Sequence, residues 1–454
     1  VSLKISRILH AGYIFETGAA KIAFDPIFEN PFSRNCHAFP SVQFDLKEIN
    51  ELQLSAIFIS HYHDDHCSME SLNLLDKETP LYMFCIHEEM FTLIRELGFK
   101  NVFSLKLNQS VRIGDIEVIP RRALDQDVDS LFQIKHQGLN VLNVVDSWID
   151  YSTLDLLKSE GPWDMVLWPF QTMRELDVIA PSRALEASRS LPPEWVQQIK
   201  TLNPKYIVPS SCQFQLEPWS WYNKAFFPIT YKQFQKEISE ALPRTEVVRL
   251  NPGVSVEINT GGIKQSRSLA WIKPLGEQNV DYDFDPALIP PPTQEIARKF
   301  PPLSEAEKSR VLEYCQKELI EKFESMEPPE EDYFFKTRRW RLTLFDNDGK
   351  AFEFNYLLKD SSAEILEGSS SIPIGWTTEV PLFKLYAALE LGEALTSMYV
   401  RINDFPFSEK IEEEIQYADI VEDPLIRCLF NGVFGAYQKA QLKEIQQRKS
   451  EHRI

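Results

Sequence analysis

The sequence predicts an α+β protein, with two sheets faced by helices followed by a smaller α+β domain. Short, fully apolar runs such as Met165-Val166-Leu167-Trp168 and Tyr206-Ile207-Val208 alternate with stretches of helical periodicity. Turn signals separate other apolar runs at hairpin spacing. A proline-rich interruption, Pro286-Ala287-Leu288-Ile289-Pro290-Pro291-Pro292, divides the chain, because it holds neither a long helix nor a central strand. At 454 residues the chain exceeds one ordinary core. The expected organisation is a first domain over residues 1–265, a linker over 266–302 and a C-terminal domain over 303–454.

The elements follow in order. Leu3 to Thr17 and Lys21 to Phe24 read as two paired strands around the Gly18 turn. Val111–Ile113 and Ile116–Ile119 flank Gly114-Asp115, and Phe132–Lys135 and Asn140–Val145 flank His136-Gln137-Gly138, giving two more hairpins. Helical periodicity marks Met69–Asp76, His87–Leu97 and Pro193–Leu202. Beyond the linker, Leu303–Ser325 predicts an amphipathic helix through Val311, Leu312, Leu319, Ile320 and Phe323. Arg339–Phe345 and Ala351–Leu358 straddle Asp346-Asn347-Asp348-Gly349 as a hairpin. A helix over Pro381–Leu391, a strand over Met398–Ile402 and a long helix over Pro424–Gln447 complete the chain.

Composition narrows the function. Hydrophobic residues make up 43%, enough to bury large cores, and 67 acidic against 48 basic residues give a formal charge of −19. Nucleic acid and anionic membrane, which reward a basic face, are disfavoured as partners. No apolar run reaches the ~18 residues of a membrane-spanning helix, and Val1-Ser2-Leu3-Lys4-Ile5 alternates like a strand rather than a signal peptide. Six scattered cysteines without a Cys-x-x-Cys pair fit the thiols of a reduced, cytoplasmic protein. A small-molecule substrate is expected, and a homo-oligomer is compatible with the sequence.

Chemistry concentrates in Ser60-His61-Tyr62-His63-Asp64-Asp65-His66, directly after the apolar run Ala56-Ile57-Phe58-Ile59. Three of the chain's eight histidines stand in this loop, which reads as leaving a buried strand and turning several ligands inward. Imidazole nitrogen with carboxylate oxygen suits Zn, Fe, Mn or Ni. The spacing accommodates two neighbouring metals, His61 and His63 on one, Asp65 and His66 on the other.

This strand and loop resemble the signature of the metallo-β-lactamase fold superfamily. His10-Ala11-Gly12-Tyr13 followed by Phe24-Asp25-Pro26-Ile27-Phe28 is similar to its lactonase and N-acyl phosphatidylethanolamine phospholipase D-like branch. The resemblance implies an αββα sandwich and a bridging aspartate, matched here by Asp146 at the end of Val141–Val145, where the alternative is a strand-end turn residue. It also implies two further histidine ligands that this chain lacks. Arg121 to Asp129 occupies the first position, where Asp125 or Asp127 supplies an oxygen ligand or remains a solvated acid. Cys212 in Pro209-Ser210-Ser211-Cys212-Gln213-Phe214 occupies the second, as a thiolate ligand or a plain buried thiol. More carboxylates and fewer imidazoles shift the preference from a di-zinc centre toward manganese, iron or a single metal. His10 and Asp25 are expected behind the ligands, orienting a histidine, and Arg121, Arg122 and Trp219 as pocket residues.

Leu142 to Asp146, the Pro209–Phe214 loop, Asn251-Pro252-Gly253, the C-terminal Tyr399–Ile402 run and the stretch Leu429–Phe434 are diffusely similar to CMP-N-acetylneuraminate hydroxylase. That enzyme's Rieske domain needs Cys-x-His and Cys-x-x-His pairs. Only Cys85-Ile86-His87 is present, so no Rieske cluster is expected in this chain. Three functions follow. The first is a metallohydrolase acting on a phosphoester, lactone or amide, with Asp65 and His66 near the chemistry. The second is an oxygen-dependent iron enzyme with an electron donor in trans. The third is a degenerate metal-binding scaffold.

Overall fold

The computed structural model describes residues 2–125, 129–328, 332–368 and 370–451. The chain divides into two compact units, one of residues 1–173, 187–285 and 441–454, the other of 174–186 and 286–440.

The first unit holds two large sheets. The eight-stranded sheet runs, edge to edge, Gly262–Ser266, Ser255–Asn259, Leu3–Arg7, Tyr13–Glu16, Lys21–Phe24, Ala56–Ile59, Leu81–Met83 and Val102–Ser104. Its first five strands pair antiparallel and its last three join in parallel. The seven-stranded sheet runs Glu246–Val247, Tyr206–Pro209, Met165–Trp168, Leu139–Asn143, Ser130–His136, Ile116–Arg122 and Val111–Ile113. Phe15, Phe24 and Phe58 of one sheet share a core with Phe132, Val141, Leu167 and Val208 of the other. Each sheet therefore spends one face on its partner, and the helices linking its parallel strands cover the remaining one. This is the αββα arrangement that the resemblance implies. Strands buried on both faces read as continuous apolar runs, which is why Ala56–Ile59, Met165–Trp168 and Tyr206–Pro209 are legible in the sequence.

The N-terminal reading needs correction. Leu3 to Thr17 is two antiparallel strands, not one, joined by a turn at Ile8–Gly12. The Ile8 amide donates to the Gly12 carbonyl at 2.8 Å, and the Gly12 amide to the Leu9 carbonyl at 2.7 Å. Gly12 is required there, because a Cβ would come within 2.8 Å of the Asp25 carbonyl oxygen. Arg7, fully buried, ties the turn to the opposite sheet by donating to the carbonyls of His10, Pro209 and Ser210. An arginine at an inward strand position breaks the apolar pattern, so alternation alone cannot place the turn.

Residues 266–285 belong to the first unit rather than to a linker. Ile272–Pro274 pairs with Val42–Phe44, and the Tyr282 hydroxyl donates to the Cys212 carbonyl at 3.0 Å. Residues 286–302 fold into the second unit, where Thr293–Ala297 forms a short helix after the prolines with Ile296 buried.

The second unit is a five-stranded sheet, Ser362–Ile365, Ala351–Lys359, Arg338–Phe345, Ile374–Pro381 and Arg401–Ile402, with helices on an apolar core around Trp340, Tyr356 and Trp376. Its first long helix starts with a capping box, Ser304 and Glu307, and carries a π-turn at Tyr314–Glu318. The expected continuous helix over Pro424–Gln447 is two, Pro424–Phe430 and Ala436–Glu451. Gly432 and Gly435 between them take φ of 69° and 64°, left-handed values that end a helix.

Candidate metal centre

The Ala56–Ile59 strand delivers Ser60 into the sheet end, and the next seven residues leave as a loop until Ser68 caps the helix Met69–Asn73. Asp25, at the end of the parallel neighbouring strand, organises that loop. Its carboxylate accepts from the Ser60 amide at 2.7 Å and the Ser60 hydroxyl at 2.6 Å, and lies 2.9 Å from His66 Nδ1. The Ser60 hydroxyl in turn lies 2.9 Å from His61 Nδ1. One fully buried carboxylate thus fixes two imidazoles, one directly and one through a hydroxyl. Spending Nδ1–H on these partners leaves the Nε2 lone pairs of His61 and His66 facing the loop interior.

The opposite sheet contributes Asp146. The chain leaves Leu139–Asn143 through Val145, which holds φ at 64°, an uncommon value for a β-branched residue. The Val145 amide donates to Asn143 Oδ1 at 3.1 Å, and its carbonyl accepts from the Ser211 hydroxyl at 2.7 Å. The strained turn points Asp146 across at the histidine loop.

Two groups of ligand-type atoms result, His10, Asp65, His66 and Asp146 in one and His61, His63 and Asp129 in the other, each within 4.8 Å. Asp146 serves both. Its Oδ2 lies 3.0 Å from His66 Nε2 and its Oδ1 3.9 Å from His61 Nε2. His61 Nε2 is 2.9 Å from His63 Nδ1 and 3.7 Å from Asp129 Oδ1. His10 Nε2 is 2.9 Å from Asp65 Oδ2.

Protonation reflects this crowding. Desolvation, then a neighbouring imidazole, pushes His61 and the surface-reaching His63 down to about 4. Burial also works against a charged His66, but Asp146 and Asp65 outweigh it and hold the ring well above its ordinary pKa. Burial and Asp146 push Asp129 up to about 6, and burial and Asp65 push Asp64 up to about 7. Asp146, although desolvation works against its charge, is drawn well below the carboxylate range by His66 and His10.

This donor set suits divalent cations. Four imidazoles and three carboxylates carry a charge of about −3 when the rings are neutral and the acids ionised. Among the described residues the ion pairs of Asp65, Asp129 and Asp146 run to histidines, not to lysine or arginine. Asp129 Oδ1 and Asp146 Oδ1 are buried without a hydrogen-bond partner. Buried oxygens that accept nothing, in a cluster with excess negative charge, are what a cation would satisfy.

The other expected site residues lie as follows. Asp125 is exposed and stands outside both groups, its carbonyl accepting from the Asp129 amide at 2.9 Å. Asp127 falls outside the described residues. Among the described residues of that run, the acid in a ligand group is Asp129, immediately before the Ser130–His136 strand. Cys212 is buried, but its sulfur is in neither group; its amide faces His10 instead. His10 falls in the first group by distance, its Nε2 2.9 Å from Asp65, and Asp25 lies 2.9 Å from His66 Nδ1. Arg121 donates to Gln133 and Asn108, and Arg122 is paired with Asp150, so both guanidiniums brace their own sheet. Trp219 is half-buried. Ser60, which escaped notice because serine after a strand is common, links Asp25 to His61.

No family model and no curated protein sequence matches the chain. Solved structures resemble it in general chain path. Igni18, a metallo hydrolase from the archaeon Ignicoccus hospitalis, is 17% identical, with 57% of this chain and 99% of that one covered and a TM-score of 0.40. The metallo-β-lactamase fold protein YhfI from Bacillus subtilis is 14% identical, with 57% and 100% covered and a TM-score of 0.40. CmlA, a diiron β-hydroxylase from Streptomyces venezuelae, is 16% identical with a TM-score of 0.40; 57% of this chain is covered, and about half of that one, 54%. At these TM-scores the likenesses assign neither a metal nor a reaction to this chain.

Proposed function

We propose that this protein is a metal-dependent hydrolase with a two-metal centre. The observation that carries the reading is Asp146, whose oxygens reach both ligand groups while one of them has no hydrogen-bond partner. His61, His63 and Asp129 would hold one divalent ion, Asp65 and His66 the other, with Asp146 between them. Such ions, when bound, lower the pKa of water toward ~7 and polarise a carbonyl or phosphoryl oxygen. The protein's own part is to fix the donors through Asp25 and Ser60, and to keep their unused lone pairs directed inward. Phosphoesters, lactones and amides are the substrate classes proposed. With Arg121 and Arg122 committed to internal partners, the substrate's charge is met at the centre rather than by those guanidiniums.

A second reading rests on Asp129. A carboxylate at this position makes the donor set harder than an all-histidine one and favours iron or manganese over zinc. An oxygen-dependent iron enzyme with an electron donor in trans fits the same residues. Elemental analysis of protein purified without added metal, paired with hydrolysis assays on model phosphodiesters and lactones with and without dioxygen, separates these readings. About two equivalents of zinc, manganese or iron with oxygen-independent hydrolysis is the expected result. Iron with turnover that consumes dioxygen moves the assignment to the oxygenase. A protein that takes up no metal even after reconstitution overturns both.

A further inference from the structure

His10 differs from the other imidazoles of the centre in what its two nitrogens face. It sits in the turn between Leu3–Arg7 and Tyr13–Glu16 with φ of 50° and is 1% exposed. The Cys212 amide points at its Nδ1 from 3.2 Å. A backbone N–H only donates, so Nδ1 must offer its lone pair, and the neutral ring then carries its proton on Nε2. A doubly protonated ring would set one N–H against another. A flipped ring would place a carbon against the amide. Nε2 meanwhile lies 2.9 Å from Asp65 Oδ2, 3.3 Å from His66 Nε2 and 3.9 Å from Asp146 Oδ2. The two carboxylates can only accept, and the Asp65 oxygen is the one within hydrogen-bond distance.

A ring nitrogen that carries a proton cannot also ligate a metal. In their neutral forms His61 and His66, with Nδ1 engaged by Ser60 and Asp25, present a bare Nε2, the polarity of a ligand. His10 has the opposite polarity, imposed by one backbone amide.

We propose that His10 is not a metal ligand but a positioning residue, whose Nε2–H holds Asp65 by donating to its carboxylate. The proposal rests on the two-metal reading of the centre. It leaves Asp65, His66 and Asp146 as the protein donors of the second metal position, one fewer than the four that close a structural site. Three donors are the mark of a position that also receives water or substrate.

The test combines nitrogen NMR with metal counting. Histidine-labelled protein, metal-free and zinc-loaded, is recorded by long-range 1H–15N correlation, with the His10 signals identified by their loss in His10→Gln. The expected pattern is the Nε2–H form of His10 in both states. A zinc-loaded spectrum in which His10 is bare at Nε2 and protonated at Nδ1 overturns the proposal. In parallel, His10→Gln is expected to retain two equivalents of zinc with affinity weakened about 10–100-fold, whereas His66→Ala falls to one. Wild-type protein with two equivalents and His10→Gln with one overturns the assignment of His10 alone. Wild-type protein that binds no zinc overturns the two-metal reading and this inference with it. The spectra need only the unsubstituted fold, so a destabilised variant does not stand in the way.

Discussion

Lys384 and Glu393 in the second unit are as deeply buried as His61 and His66 in the first, at 0–2% exposure, yet the two places differ in kind. Lys384 donates to Glu393, the Ser397 hydroxyl adds a bond at 2.9 Å, and the ammonium lies 4.7 Å from the Phe300 ring centre. One cation meets one anion. Asp423, also in that unit and fully buried, collects donors from Trp376, Thr378, Leu425 and Ile426. At the centre of the first unit, by contrast, three carboxylates and four imidazoles face one another, and Asp129 Oδ1 and Asp146 Oδ1 find no hydrogen-bond donor. Buried polarity that is paired specifies a fold. Buried polarity made of acceptors without donors is incomplete until a cation arrives.

The comparison can be broken most severely at Asp146. Asp146→Ala removes the donor shared by both groups, and we expect metal content to fall from two equivalents to one or none and hydrolysis to fall about a thousandfold or more, a loss of ~4 kcal/mol of transition-state stabilisation. Metal analysis and steady-state kinetics check this. Retention of both metals would place the shared donor elsewhere.

The paired charges should respond in folding rather than in metal content. Lys384→Met strands Glu393 in the core and is expected to cost about 3–5 kcal/mol in denaturant unfolding, whereas Lys384→Met with Glu393→Leu recovers most of it. Zinc stoichiometry should stay at two in both. A double variant as unstable as the single one would mean that the pair contributes more than mutual neutralisation.

Asp25 sits between these extremes, paired yet attached to the centre. Asp25→Asn keeps the volume but removes the charge that anchors His66 and, through Ser60, His61. A weakening of metal affinity by about 10–100-fold is expected in competition titrations with a chromophoric chelator. An unchanged affinity would show that the loop holds its histidines without that carboxylate.

The smallest effect concerns pH. Asp129 and Asp64 have folded pKa values raised to about 6 and about 7 from the ordinary 3.8. A raised folded value means that the folded state binds protons more tightly than the unfolded one. Its stabilising contribution is complete below the unfolded pKa and is lost as pH rises through the folded value. His66, also raised, acts in the same direction at higher pH, whereas His61 and His63, lowered to about 4, oppose it only up to their ordinary 6.5. Metal-free protein should therefore melt at a lower temperature at about pH 8 than at about pH 5, and divalent metal should reverse the trend. Melting curves at matched ionic strength, with and without zinc, measure it; a metal-free curve that is flat or rises with pH would contradict the crowding described at the centre.

How much of this was legible beforehand depends on how local each cause is. Doubly buried strands announce themselves as apolar runs, and His61, His63, Asp65 and His66 fall within six residues, so the strand and its ligand loop could be read directly. The break between Pro424–Phe430 and Ala436–Glu451 was also local, in Gly432 and Gly435, but apolar periodicity on either side hid it. Asp129 was not legible, because three aspartates in five residues, Asp125, Asp127 and Asp129, offer the same chemistry. The strand register alone picks the one beside His61.

The sequence by itself determined the alternation of strands and helices, the ligand loop, and the acidic character of a centre short of histidines. Those follow from patterning and residue type, which act over a few neighbours. The tertiary structure decided which acids join the centre and which way each imbiber of a proton is turned. His10 and Cys212 stand about two hundred positions apart in the chain, and the hydrogen bond between them, which fixes the polarity of the ring, exists only after the two sheets have closed on one another.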